Sequence, residues 1–224
     1  MNPSSVSLIN FSQPPGIESN DKSSLLEMVA FCARVSNPTN QNNTATSENL
    51  VRYLIKHQHW SPLEMVSICL EINTTRDIAR QILRHRSFSF QEFSQRYAIV
   101  SNTFVTKEAR LQDSKNRQNS IDVSDQELQE KWQQLQQTVA EEAQQVYVWA
   151  LEQGIAKEQA RAVLPEGMTA SRMYMNGTLR SWVHYIQLRT GPETQKEHRE
   201  VALACAEAIT PIFPMIMEFV QGKE

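Results

Sequence analysis

Glycine is scarce in this chain, with six among 224 residues. Gly16, Gly154, Gly167, Gly177, Gly191 and Gly222 stand too far apart to make a G-x-G-x-x-G turn or a P-loop. The usual backbone cradle for phosphates is therefore excluded, and any phosphate-bearing ligand must be held by side chains. Cysteine is rarer still. Cys32, Cys69 and Cys205 are widely spaced and lie outside any C-x-x-C pattern, which reads as three free packed thiols in a reducing compartment. No apolar run approaches the ~20 residues of a membrane helix. The opening Met-Asn-Pro-Ser-Ser has no basic stretch before an apolar one, so the expected location is the cytoplasm. The formal net charge is −3, so no whole-molecule field draws the chain to nucleic acid or an anionic membrane.

What is present suits a folded globular protein. Hydrophobic residues make up 40% and charged residues 21%, and the length allows one domain over 1–224 with a sizeable core. Residues 6–11 read as a short strand ended by Pro14-Pro15-Gly16, and 21–34 as a helix capped by Asn20 or Asp21. The Ser-, Asn- and Thr-rich stretch 36–49 reads as a loop, followed by a helix from about Glu48 to His57. Val66, Ile68, Leu70 and Ile72 alternate with Ser67, Cys69, Glu71 and Asn73, a period of two that marks a strand with one buried face. Thr74 or Thr75 then caps a helix. Residues 88–105 look extended, with Tyr97–Val100 as a candidate strand, and 106–123 look loop-like. Ser124-x-x-Glu127 has the form of a capping box opening a long helix, near 125–153, whose many glutamines suggest a solvated or subunit-facing side. Shorter helices fit 157–164 and about 176–189, and a last one begins near Glu193, with Pro211 and Pro214 as its breaks. The expected class is α+β: a small antiparallel sheet flanked by helices.

Positive charge is concentrated in one place. Arg76, Arg80, Arg84, His85, Arg86 and Arg96 fall within 21 positions of a slightly acidic chain. At ~100° per residue, Arg76, Arg80 and Arg84 form one helical stripe, with Ile78, Ala79, Ile82 and Leu83 opposite. Such a stripe could be a solvated face with ordinary ion pairs, a nucleic-acid surface, or a grip on a small anionic ligand. The aromatics Phe88, Phe90, Phe93 and Tyr97 follow the arginines rather than interleaving with them, unlike a base-stacking platform.

The run Arg84-His85-Arg86-Ser87-Phe88-Ser89-Phe90-Gln91-Glu92-Phe93-Ser94-Gln95-Arg96-Tyr97 closely resembles the signature of the flavin-dependent thymidylate synthases. The resemblance extends to Ala33-Arg34-Val35-Ser36, to His59-x-Ser61-Pro-x-Glu64, to Ala160-Arg161-Ala162-Val163-Leu164-Pro165, and to the segment from Arg180 through His184 to Arg189. It implies an enzyme that makes dTMP from dUMP with bound FAD, methylenetetrahydrofolate as carbon donor and NADPH as reductant, in a homotetramer whose sites are shared between subunits. Arginine forks suit that task, since charge-assisted bonds to phosphate or carbonyl oxygens are worth ~1.5–3 kcal/mol each.

By the same resemblance the flavin contacts are Ser36, His59, Ser61, Glu64, Arg84, His85, Arg86, Gln91, Glu92, Thr178, Arg180 and His184. The dUMP contacts are Gln81, Glu92, Ser94, Gln95, Arg96, Arg161 and Arg189. Arg96 and Arg189 are the candidates for polarising the uracil ring. Ser94 orients substrate, for its neighbours Gln95 and Arg96 are not bases that could activate it as a nucleophile. Met65, Thr178 and Glu193 depart from the family's common residues. Two other chemistries are weighed against this one. A cysteine-dependent synthase needs an activated thiolate, and none of the three cysteines follows a proline. A metal site through His57-x-His59 would need further ligands, while His57 reads as a helix end and His198 as an exposed position on another helix. No metal is expected.

Overall fold

A computed structural model describes residues 4–13, 24–100 and 104–221. The expected turn at 14–16 and the helix cap at Asn20 or Asp21 lie outside those residues. Four strands form one antiparallel sheet in the order β1-β2-β6-β3: β1 is Ser5–Phe11, β2 Ser67–Thr75, β3 Phe88–Glu92 and β6 Ala170–Thr178. On one face Ile68, Leu70 and Ile72 of β2 meet Met173 and Met175 of β6 in a core where Phe88 and Phe90 also pack. The other face is polar: Glu71 accepts from Arg172 Nε across the β2–β6 ladder at 2.8 Å.

The helices α1 (Ser24–Ala33), α2 (Ser47–Lys56), α3 (Arg76–Ile82), α6 (Leu179–Arg189) and α7 (Lys196–Ile209) contribute to the core on the apolar face, while α4 (Gln126–Glu152) and α5 (Lys157–Ala160) build a second, small core of Val100, Tyr147, Ala150 and Ala160. Trp182, Tyr185 and Ile186 of α6 and Val201, Ala202, Cys205 and Ile209 of α7 are fully buried with Leu25 and Val29 of α1. Trp182 donates its indole N–H to the Ile68 carbonyl at 3.0 Å, tying α6 to the central strand.

Several elements depart from the sequence reading. The strand β6 occupies 170–178, so the helix expected from 176 begins only at Leu179, after the Thr178 hydroxyl accepts from Ser181 N at 3.2 Å as its N-cap. Its Asn176 and Gly177 are weak strand formers. Pairing on both sides overrides that preference, and Gly177 leaves the gap that the Phe88 ring fills: a Cβ there would come within 2.3 Å of that ring. Tyr97–Val100 is a turn and bend instead of a strand, whereas 106–123 contains a small hairpin, β4 (Arg110–Gln112) with β5 (Ser120–Asp122). The long helix is capped by Asp125, not Ser124: the Asp125 carboxylate accepts from Leu128 N at 3.0 Å and faces the positive end of the helix. Two of its glutamines are structural. Gln136 bonds both the N–H and the carbonyl of Lys107 at 2.9 and 2.8 Å, and Gln129 does the same for Ala109 at 2.7 and 2.9 Å. Gly154, at φ 77°, closes α4 in the left-handed region as a glycine readily can.

Candidate functional site

The sequence candidates gather in three places. The first is a cleft of about 410 Å³ lined by Trp60, Glu64, Ser87, Arg180, Ser181, Val183, His184 and Gln187. Glu64 ends a short 3-10 turn, Ser61–Glu64, while Arg180 and His184 lie one turn apart on α6. Glu64 and Arg180 are paired directly. His59 and Ser61 are exposed beside this turn, and Arg84 and Arg86 are exposed on the segment leading to Ser87. His59 is placed by an unusual helix end: Gln58 sits at φ 58°, and His59 N donates to the Leu54 carbonyl at 2.8 Å. Thr178, expected at this site, is engaged as the α6 cap. Ser36 is exposed in the turn after α1 and does not line the cleft, and Gln91 projects from the polar face of the sheet, away from Phe90 and Glu92.

The second place is a pocket of about 370 Å³ lined by Arg76, Arg80, Gln95, Glu158, Arg161, Ala162, Leu164 and Glu166. Arg80 is paired with Glu166, and Arg96, beside the pocket, donates to Glu158 at 3.0 Å. Arg76 keeps company with Glu92 at 3.4 Å, and Glu92 also accepts from Ser171 Oγ at 2.7 Å. Burial lowers the Arg76 pKa, as do Arg80 and Arg161, against the pull of Glu92. One side chain here is unfinished. Gln95 is 4% exposed, and its buried Nε2 has no hydrogen-bond partner among the described residues. A buried amide N–H left unmade costs ~1–3 kcal/mol, so this donor, beside Arg76 and Arg161, is free to meet an acceptor atom. Ser94 Oγ accepts from Arg96 N at 3.3 Å, which sets the turn carrying Gln95 and Arg96.

A third group lines neither cavity. Arg189, near the end of α6, donates from Nε to His85 Nε2 at 2.9 Å. His85 stacks edge-on against Tyr185, with ring centres 4.9 Å apart. Burial, with Arg189, His184 and Arg84 nearby, lowers its pKa to about 4, so the ring is neutral at pH 7 and its Nδ1 carries the proton. Gln81 faces His198 and Gln195 from α3, at 3.2 and 2.7 Å.

His198 corrects an expectation: it is fully buried, not exposed. Its spacing from Val201, Ala202, Cys205, Ala206 and Ile209 carries the helical period of the buried stripe, which was the signal available in the sequence. Tyr185 and Gln195 had no comparable signal, and Arg76 was visible only as one arginine of a stripe. The cysteines are poorly suited to nucleophilic work. Cys205 is fully buried and its thiol is pushed well up by burial, as is that of Cys69 to a lesser degree. His57 caps the end of α2, its ring 6.2 Å from that of His59, and among the described residues no three His, Cys, Asp or Glu side chains group as a metal site. No described helix is long and apolar enough to cross a membrane.

An α+β scaffold that presents arginines and amides, in place of a glycine loop, to two clefts at opposite ends of its central strands suits an enzyme for anionic ligands. Residues 20–215 match the family described as thymidylate synthase complementing protein. The chain is 50% identical over 190 residues to a protein of Paramecium bursaria Chlorella virus 1 named "Probable flavin-dependent thymidylate synthase", covering 85% of this chain and 88% of that one. It is 46% identical over 211 residues to the flavin-dependent thymidylate synthase of Synechocystis sp., covering 94% and 96%. Its fold superposes on a UMP/dUMP methylase, PolB from Streptomyces cacaoi, solved with 5-Br dUMP, at a TM-score of 0.81 and 27% identity over 96% of this chain and 93% of that one. The chain belongs to the flavin-dependent thymidylate synthase family.

Proposed function

We propose that this enzyme converts dUMP to dTMP by FAD-mediated reductive methylation, taking its carbon from 5,10-methylenetetrahydrofolate and its electrons from NADPH, and releasing tetrahydrofolate. The observation that carries the reading is the unpartnered Nε2 of Gln95 in a pocket with Arg76 and Arg161. That donor set matches a nucleotide phosphate. The first cleft offers apolar lining in Trp60 and Val183, and polar groups in Glu64, Ser87, Arg180 and His184, which suit an isoalloxazine and its ribityl hydroxyls. Arg84, Arg86 and the exposed His59 and Ser61 border it, where the pyrophosphate charge needs neutralising. Ser36, Gln91 and Thr178 complete the proposed flavin contacts, with Glu92 between the two ligands.

FAD, when bound, supplies the redox chemistry that links NADPH oxidation to reduction of the transferred carbon. The chain's own residues position and polarise. Gln95 and Arg161 hold the nucleotide phosphate, with Arg76 and Arg80 raising the local positive potential. Arg96 reaches substrate by leaving Glu158, an exposed pair worth little to stability. Arg189 and Arg96 stabilise the negative charge that develops on the uracil ring, while Ser94 and Gln81 orient it. His85, neutral and with an N–H at Nδ1, offers the flavin a donor without adding a charge.

Homotetramer formation, with clefts completed by other subunits, is part of the same reading. Leu128, Trp132, Leu135, Val139, Val146 and Trp149 form an exposed stripe of α4 at coiled-coil spacing, roughly a quarter turn round the helix from the side that buries Gln136, Ala140, Tyr147 and Ala150. The test is direct. Purified protein given FAD should show oxidised-flavin bands that bleach with NADPH, and should form dTMP only when dUMP and methylenetetrahydrofolate are both present. A colourless protein that takes up neither FAD nor dUMP would sink the proposal.

A further inference from the structure

A chain of hydrogen bonds leads from the buried Tyr185 to Gln81, one of the proposed dUMP contacts, and on to the β4–β5 hairpin. Tyr185 Oη lies 3.1 Å from His198 Nε2, and His198 Nδ1 lies 3.2 Å from Gln81 Oε1. Gln81 Nε2 donates to Gln195 Oε1 at 2.7 Å, and Gln195 Nε2 donates to Glu197 Oε2 at 2.8 Å. Glu197 accepts in turn from Arg110 of the β4–β5 hairpin. The chain joins α6, α7, α3 and the hairpin, and His198 and Tyr185 in it are wholly buried.

Its direction follows from chemistry. Glu197 can only accept: burial pushes its carboxyl up, but the bonds from Arg110, its own backbone and Gln195 prevail and hold it below the ordinary value. Gln195 must therefore turn its NH₂ toward Glu197 and its carbonyl toward Gln81, and Gln81 must turn its NH₂ toward Gln195. The carbonyl of Gln81 then faces His198, so Nδ1 of His198 carries the proton and Nε2 accepts from Tyr185. Burial raises the Tyr185 phenol well above its ordinary range, which keeps it a donor. No amide in this run is free to flip without leaving a buried group unpaired. A buried histidine is costly unless both nitrogens are satisfied. Here both are.

We infer that His198 is a positioning residue for the nucleotide site: it fixes the Gln81 side-chain amide so that an N–H faces the ligand. Gln81 is only half-buried, and its NH₂ has one hydrogen committed to Gln195 and one left over. The acceptor it meets is an oxygen of the bound nucleotide, on a phosphate or a pyrimidine carbonyl. Tyr185 and the Glu197–Arg110 pair are the two ends that hold the relay in place. This rests on Gln81 being a dUMP contact, and the experiments separate the two claims.

The measurements use flavin-loaded enzyme. His198→Leu fills the space but removes the donor, while His198→Asn keeps a side-chain N–H near the position of Nδ1. The Leu variant should keep its flavin spectrum and flavin affinity, yet bind dUMP about tenfold or more weaker, the KM for dUMP rising while kcat changes little. The Asn variant should recover most of that loss. Gln81→Ala should lose as much, and adding His198→Leu to it should cost almost nothing more, because the two act through one bond. Unchanged dUMP affinity in the Leu variant, or losses that simply add, would overturn the inference. Should His198→Leu fail to fold, the imidazole nitrogens settle it in the unmodified enzyme. Nitrogen NMR at pH 7 should show the His198 proton on Nδ1, and a proton on Nε2 refutes the relay. If unmodified holoenzyme bound no dUMP at all, the functional reading would fall while the tautomer result stood by itself.

Discussion

Nε of Arg189 donates to Nε2 of His85 at 2.9 Å, so a residue expected at the pyrimidine and a residue expected at the flavin share one hydrogen bond. The bond fixes the guanidinium plane and the imidazole tautomer together. Arg189→Lys keeps the charge but loses the planar fork. That variant should weaken dUMP binding and lower kcat/KM by about 10- to 100-fold, the scale of one lost charge-assisted bond. Titration calorimetry and steady-state rates would check it, and a variant as active as the parent would count against the role of Arg189.

Gln95 predicts a trade between stability and binding. Its unmet Nε2 costs free energy in the ligand-free protein, and methionine has nearly the same shape without that N–H. Gln95→Met should unfold at a higher denaturant concentration, by about 1 kcal/mol, and bind dUMP at least several-fold more weakly. Lower stability with unchanged dUMP binding would mean that Gln95 serves the fold alone.

Stability should fall on mild acidification. His198 has its pKa lowered to about 3 by burial and by the nearby Arg189 and His85, while an unfolded histidine titrates near ~6.5. A depressed folded pKa means that the unfolded chain binds the proton first. Stability is then complete above ~6.5 and declines as pH drops toward 3, by ~2 kcal/mol from this residue between pH 6.5 and 5. His85, at about 4, adds to the same decline. Urea unfolding at the two pH values measures the slope, and His198→Asn should remove about one proton's share of it.

The exposed stripe on α4 can be probed without touching either cleft. Val139→Glu places a charge in the middle of the apolar row and should break the proposed assembly into smaller species. Light scattering behind a sizing column would show the mass fall, with helix content retained. If the mass of both proteins is that of one chain, α4 has another use.

Much of the scaffold was legible because its signals are local. The strict alternation of 66–73 gives β2, the stripe Ile78-Ala79-Ile82 gives α3, and the long period from Leu128 to Ala150 gives α4. The strand at 170–178 was not, since Asn176 and Gly177 near its end disfavour a strand unless partners stand on both sides. The cap at Asp125 differs from the expected Ser124 by one residue, a margin that local pattern rarely resolves. The candidate site was legible as a set of residue types through its signature run. Which of them touch was not.

Residue chemistry and order alone determined that this chain folds as an α+β protein, that it has no glycine-rich phosphate loop, and to which family the signature run belongs. Folding decided that Gln95 is left with an unpaired donor, that Arg189 meets His85 across 104 positions, and that His198 is buried against Gln81 across 117. The reason is range. Helical and strand periods act over a few residues, whereas a hydrogen bond between distant segments exists only once packing has fixed both backbones.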